Sequence, residues 1–355
     1  MISGKLFAQN KPLIECGTPT PAKAAIITKE QMTAFRQIQT INEPYAIKVF
    51  ITVFANNDGS ALGSTDSNIK RQFENMVNQY APHGICFLLV GIKQVNSTDL
   101  NDHNKDTETS ELTPYLVPNM LNLFIHNSLY TNTGGLNGTA YSIPSTKLSV
   151  SGGFMADLNN LSTMGHEVGH CLNLYHTFET QYGAENVART GVCTNCTSTG
   201  DYLCDTQADM GDPYLVNNLT GCIYTGTQTD ACNASSYAPD PTNMMTYGDR
   251  ACRANFSTEQ VSRMKYYLIN DVDLNNIIAQ DIVYYPVIFS STLSNGTYFT
   301  LARDVLHVSE GGANLTINGS TNQSLQAKKV LLKSGTKFSP GAGGKVSVKS
   351  NPYCN

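Results

Sequence analysis

The chain has 355 residues, a formal net charge of -5 and a pI near 5.8. Hydrophobic residues make up 41% and charged residues only 14%, which suits one large domain plus a smaller one with Asn, Thr and Ser covering much of the surface. The acidic balance, with no basic cluster, argues against a nucleic-acid partner, and no apolar run is long enough to span a membrane.

Residues 1–9 (MISGKLFAQ) lack the apolar stretch of a complete signal peptide, but Leu6-Phe7-Ala8-Gln9 looks like the end of a bacterial export signal. Residues 10–45 hold Pro12, Pro19 and Pro21 and then a short helical run, Thr28–Gln39, which Glu30 near its start favours. The domain proper begins near residue 46. Ala46–Ala55 is β-branched and aromatic and reads as a strand. Asp66 to Ile69 opens an amphipathic helix with Ile69, Phe73, Met76 and Val77 on one face. Ile85–Val95 and Met120–Ile125 read as further strands. Ala140–Pro144, inside a Gly- and Ser-rich stretch, reads as an edge strand along which an extended peptide can pair by main-chain hydrogen bonds.

The segment from His166 to His176 (HEVGHCLNLYH) concentrates three of the seven histidines in eleven residues. On a helix, His166 and His170 share a face one turn apart, so two imidazoles can reach one zinc ion. Glu167 lies about 100° round the helix, close enough to act on a water at that metal. Leu161, Met164, Val168, Cys171 and Leu172 fall on the opposite, apolar side. A straight helix would carry His176 past the metal, so the chain must turn. Asn173, which tolerates the left-handed conformation well, is placed to make that turn. His176 then completes three nitrogens and leaves a fourth position open.

His-Glu-x-x-His-x-x-Gly-x-x-His is the metzincin zinc signature, and its continuation through His176-Thr177-Phe178 resembles the pappalysin group of that clan (peptidase family M43), with Asn173 where Gly is usual. The resemblance spans about residues 160–265 and extends back toward 46. It implies a mixed α/β metzincin catalytic domain over 46–275 with an active-site helix. It also implies a Met-turn at Asn243-Met244-Met245-Thr246-Tyr247, with Met245 beneath the histidines and Tyr247 near the reacting carbonyl. Ordinary core is the plain alternative for the two methionines. The stretch Gly200-Asp201-Tyr202-Leu203-Cys204-Asp205-Thr206 is similar to a third family segment and implies structural calcium at Asp201, Asp205 and Thr206, against the plainer reading of solvated loop acids. Residues 1–45 resemble a signal remnant and pro-segment. In related latent enzymes a pro-segment cysteine takes the open zinc position, which points to Cys16; a disulfide with Cys86 or Cys354 is the competing reading. Asp249 and Arg250 are expected in the wall of the pocket beyond the scissile bond. There an acid would favour Arg or Lys in substrates unless Arg250 neutralises it.

Six cysteines, Cys193, Cys196, Cys204, Cys222, Cys232 and Cys252, crowd the loop-rich segment after the zinc helix. No second Cys-x-x-Cys follows and no βαβ context surrounds the first, so disulfides are preferred over a zinc or redox pair, with the connectivity open. Oxidised cysteines imply export. A capping box, Ser257-x-x-Gln260, opens the last helix. From 283 to 355 short β-like runs alternate with Gly, Asn and Ser, a small all-β module with no catalytic constellation.

The expected activity is a secreted, monomeric zinc endopeptidase acting on proteins and peptides, with Glu167 as general base and Tyr247 assisting. The alternative is a latent or vestigial peptidase serving as an extracellular binding or adhesion protein.

Overall fold

The computed structural model describes residues 13–23, 27–28, 30–31, 44–211, 214–285 and 291–354. Most of the helical run expected over Thr28–Gln39 lies outside these residues. Strand β1 (Leu13–Cys16) is followed by β2 (Tyr45–Ala55), helix α1 (Asp66–Tyr80), β3 (Ile85–Asn96), β4 (Asp102–Asn104), β5 (Leu121–His126), β6 (Ser128–Tyr130), β7 (Gly135–Ala140) and β8 (Lys147–Ser151). These eight strands form one mixed sheet in the order β3-β2-β5-β8-β7-β6-β4, with β1 added in parallel along β7. The run β3-β2-β5-β8 is parallel, and β7 returns antiparallel to β8. Buried on both faces, the central strands read as near-continuous apolar runs, which is why composition alone picks them out.

The edge strand differs from expectation. It runs over Gly135–Ala140, and Tyr141–Pro144 forms the bend that follows.

Helix α1 starts where Thr65 accepts a hydrogen bond from the Asn68 amide, and it buries Ile69, Phe73, Met76 and Val77 as its periodicity predicts. Its Tyr80 hydroxyl donates to the Gly165 carbonyl (2.8 Å), tying it to α2 (Thr163–Cys171). Every residue of α2 is buried, with Met164, Val168, Cys171 and Leu172 packed into the main core. Leu161 is the exception to the predicted apolar stripe. It precedes the helix and its side chain is 37% exposed. Asn160 ends the incoming loop, its Oδ1 accepting from the Thr163 amide and hydroxyl.

After α2 the chain is largely irregular up to α3 (Thr258–Asn270) and α4 (Val272–Ile277). Such a stretch needs ties, and three disulfides supply them: Cys193–Cys232, Cys196–Cys204 and Cys222–Cys252. The Cys-x-x-Cys pair is thus split between two bridges. The capping box of α3 forms as expected, Ser257 and Gln260 each bonding the other's backbone.

The C-terminal strands stack in register rather than forming hairpins. Strands β9 (Ile282–Tyr285), β11 (Val305–Val308) and β13 (Lys329–Leu332) make one parallel sheet. Strands β10 (Ser291–Leu301), β12 (Leu315–Gln326), β14 (Thr336–Pro340) and β15 (Lys345–Lys349) make a second. Leu306, Val308, Leu315, Ile317 and Leu325 fill the core between the sheets. This unit is fastened to the main sheet by a disulfide from Cys354 to Cys86 on β3 and by the Arg303 guanidinium, which donates to the Pro44 carbonyl (2.8 Å). Among the described residues no helix is long and apolar enough to cross a membrane.

Candidate active site

Helix α2 packs against β7 and brings His166, Glu167 and His170 to it, and the turn at Asn173 returns His176 to them. Asn173 has φ +72°, the left-handed conformation expected of it. The Leu174 amide bonds back to the Gly169 carbonyl (2.9 Å), so the helix closes as it turns. The Nε2 atom of His176 then lies 3.1 Å from Nε2 of His170 and 3.3 Å from Nε2 of His166.

The outer nitrogens fix the tautomers. His166 Nδ1 lies 2.7 Å from the Met244 carbonyl, and His170 Nδ1 lies 2.8 Å from the Leu174 carbonyl. A carbonyl only accepts, so both Nδ1 atoms carry the proton and both Nε2 atoms present lone pairs. His176 Nε2 can donate to at most one of them, so the cluster as it stands is electrostatically incomplete. Burial lowers the pKa of all three imidazoles, that of His170 to about 4, so they stay neutral, as metal ligands must.

The donor set fits zinc. Bonds of about 2.0–2.1 Å in a tetrahedron put neighbouring nitrogens about 3.3–3.4 Å apart, close to the observed spacings. Cys16 supplies the fourth group: its sulfur and one nitrogen from each histidine all lie within 4.8 Å of one another. Among the described residues this is the one such convergence of His, Cys, Asp or Glu. Cys16 is not in a disulfide, because Cys86 and Cys354 pair with each other. Burial, then the Glu167 charge, push its thiol pKa up. The thiol donates to Glu167 Oε2 (3.4 Å).

Glu167 is fully buried. Its Oε2 accepts from the Thr18 hydroxyl (2.8 Å) and the Ala140 amide (3.0 Å), while Oε1 has no hydrogen-bond partner. Burial pushes its carboxyl up to about 7, against the lowering effect of those bonds. Gly138 makes the room: a Cβ there would lie 2.7 Å from Glu167 Cγ and 2.8 Å from Oε1.

Met245 is fully buried beneath the helix. A Cβ on Gly169 would lie 2.5 Å from its sulfur, so the glycine lets the Met-turn approach the histidines closely. Tyr247 stacks edge-on to His176 (5.1 Å between ring centres), and its hydroxyl donates to the Cys16 carbonyl (3.4 Å).

The expected calcium group is less convergent. Asp201 is buried, with Oδ1 accepting from the Leu203 amide (3.0 Å) and lying 3.2 Å from the Thr206 hydroxyl; its Oδ2 has no hydrogen-bond partner. Asp205 turns elsewhere: it accepts from the Ser257 hydroxyl and the Glu259 amide (both 2.7 Å), capping α3. Sequence reasoning missed Glu185, a buried acid whose carboxyl is pushed up to about 8 by burial and then by the Asp201 charge. It also missed what holds the N-terminal segment: Lys105 Nζ on the Gly17 carbonyl (2.6 Å), Tyr182 on the Pro21 carbonyl (2.5 Å), and two arginines on Glu15. The signal available for the last was the Arg250, Arg253 spacing opposite an acid beside Cys16.

Comparison with known proteins agrees with this geometry. Residues 103–269 match the family described as pregnancy-associated plasma protein-A, peptidase M43. An extracellular metalloprotease of Colletotrichum graminicola is 28% identical over 276 residues, covering 71% of this chain and 89% of that protein. One from Sordaria macrospora is 29% identical, covering 71% and 87%. In fold, the chain is similar to a Tannerella forsythia promirolysin mutant, with a TM-score of 0.51 at 18% identity, covering 74% of this chain and 97% of that one. Residues 103–269 carry the M43 family match, and together with the extracellular metalloprotease relatives they support an M43-type metalloendopeptidase.

Proposed function

We propose that this chain is a secreted zinc endopeptidase held latent by its own N-terminal segment. The observation that carries the reading is the meeting of Cys16, His166, His170 and His176 beside Glu167. His166, His170 and His176 would hold the metal through Nε2, with Met245 as the apolar floor. Zinc, when bound, supplies Lewis acidity that polarises the scissile carbonyl and acidifies water.

The chain's own residues do the rest. Glu167 takes the proton of the attacking water on its carboxylate and returns it to the leaving amine. Burial raises its carboxyl pKa, which favours its holding the proton between the two transfers. Strand β7 offers its main chain to an extended substrate, and Tyr247 donates its hydroxyl to the negative oxygen as the carbonyl becomes tetrahedral.

Strand β1 lies along that edge, with Cys16 opposite Gly138, and Cys16 would fill the fourth metal position as thiolate. A metal cation would reverse the upward push on the thiol and bind it as thiolate. The organisation that follows is a segment to about residue 45, a catalytic domain over 46–275 and a C-terminal unit over 283–355 that serves as a spacer or surface contact. Export is supported by four disulfides and by relatives named extracellular metalloproteases. Structural calcium beside Asp201 and Thr206 is supported by the unpartnered Asp201 oxygen and the nearby Glu185 carboxylate; Asp205 would be outside that site.

The test is cleavage of a diverse peptide library by the zinc-loaded chain, before and after trimming of residues 1–45. Chelator-sensitive cuts that rise on trimming support the reading. A closed binding protein is the second reading, favoured by the filled cleft; it predicts silence in both preparations.

A further inference from the structure

Beside the histidine cluster lies a second polar constellation, and it is cationic. Arg253 is 1% exposed and is fixed on three sides. Its Nε donates to Ser162 Oγ (3.0 Å), Nη1 to the Thr246 carbonyl (3.1 Å) and Nη2 to Glu15 Oε1 (2.7 Å). Arg250 lies over the Phe154 ring (4.8 Å) and donates from Nε to both Glu15 oxygens (3.1 and 3.0 Å) and from Nη2 to Oε2 (2.7 Å). Asn137 on β7 donates to the same Oε2 (2.5 Å).

Among the described residues, Glu15 is the carboxylate with which both arginines pair. Asp249, the acid expected in this wall, is exposed and accepts from the Ala251 amide instead. The pocket is therefore positive, the reverse of the charge that would draw Arg or Lys.

All of these donors belong to the catalytic body, and only Glu15 belongs to the N-terminal segment. Glu15 immediately precedes Cys16, whose sulfur meets the histidines, so its side chain occupies the position flanking the reacting bond. When the segment leaves, two immobilised guanidinium groups, one of them buried, lose their counter-charge. A buried cation without an anion is unfavourable, and a fixed guanidinium fork matches a carboxylate in two places.

We propose that Arg250, Arg253 and Asn137 form a carboxylate-binding subsite, that this peptidase selects Asp or Glu at a position flanking the cleaved bond, and that Glu15 occupies the subsite as a substrate mimic. The proposal rests on the peptidase reading above. Pairing with β7 in the direction of β1 puts the selected residue on the N-terminal side of the bond; reversed pairing puts it on the C-terminal side.

The test uses one peptide sequence varied to Asp, Glu, Ala or Lys at each flanking position. Binding is measured on the full chain carrying Glu15→Ala, Cys16→Ala and Glu167→Ala, which frees the subsite without turnover. Cleavage is measured with Glu167 restored. Acidic peptides are expected to bind, and to be cut, about tenfold or more better than their Lys counterparts at one position, and Arg250→Glu is expected to reverse that order. Absence of preference, or preference for Lys, overturns the subsite. Failure of every zinc-loaded cleavage would strike the peptidase reading, while the binding order would still decide the subsite.

Discussion

The Cys16 thiol donates to Glu167 Oε2 at 3.4 Å, so one side chain of the N-terminal segment meets both the candidate base and the three histidines. Thr18 reinforces this, with its hydroxyl 2.8 Å from the same oxygen. On the proposed reading the segment would cover the metal position, the base and the substrate edge together.

Removing that thiol should release part of the latency. A contact to a charged group contributes about 1.5–3 kcal/mol, so Cys16→Ala in the untrimmed chain should raise peptidase activity about tenfold to a hundredfold. Turnover of a quenched peptide by the two full-length proteins checks this. Equal latency would show that Cys16 does not hold the chain inactive.

Glu167→Ala should lower kcat by about 10²–10⁴, the range for a general acid–base group, while zinc content stays at one ion per chain. Activity and metal analysis on the same sample separate the base from a ligand. A variant that turns over normally would refute the role.

Gly138→Ala should act on the same carboxylate from the other side. The added Cβ would meet Glu167 Cγ at 2.7 Å, so the base must shift. A displacement on the order of 1 Å can cost about 10² in rate. Activity should fall by that order with thermal stability little changed, and an unchanged rate would show that Glu167 relaxes freely.

Glu185 and Asp201 make stability depend on pH. Their carboxyls are pushed up to about 8 and about 7, chiefly by burial. An acid with a raised folded pKa binds its proton more tightly in the native state, so its stabilising effect is complete below the unfolded pKa of about 4. That effect is lost as pH rises through about 7 to 8, on the order of a few kcal/mol in all. Melting in chelator should therefore fall across that window. Glu185→Gln should flatten the fall, and calcium should oppose it.

Much of the candidate site is legible in the sequence because it is local. His166, Glu167, His170 and His176 lie within eleven residues, where helical spacing and the conformational tolerance of Asn173 decide the geometry. The strands of the main sheet were visible through their apolar runs, and the capping box of α3 through a four-residue pattern. Long-range relations were not. Glu15 and Arg253 are 238 residues apart, and Cys86 and Cys354 are 268 apart. Nothing in local periodicity chooses such partners. The C-terminal runs looked β-forming, but alternation does not say whether a strand pairs with its neighbour or with one two strands further along the chain. Leu161 departs from the stripe because a helical wheel does not reveal that the Asn160 side chain, accepting from the Thr163 amide, places the helix start after it.

The most direct measurement is X-ray absorption at the zinc edge of the zinc-loaded, untrimmed chain. Three nitrogen neighbours at about 2.0–2.1 Å and one sulfur at about 2.3 Å are expected, with the sulfur lost in Cys16→Ala. A shell without sulfur, or one with several sulfurs, would contradict this ligand set.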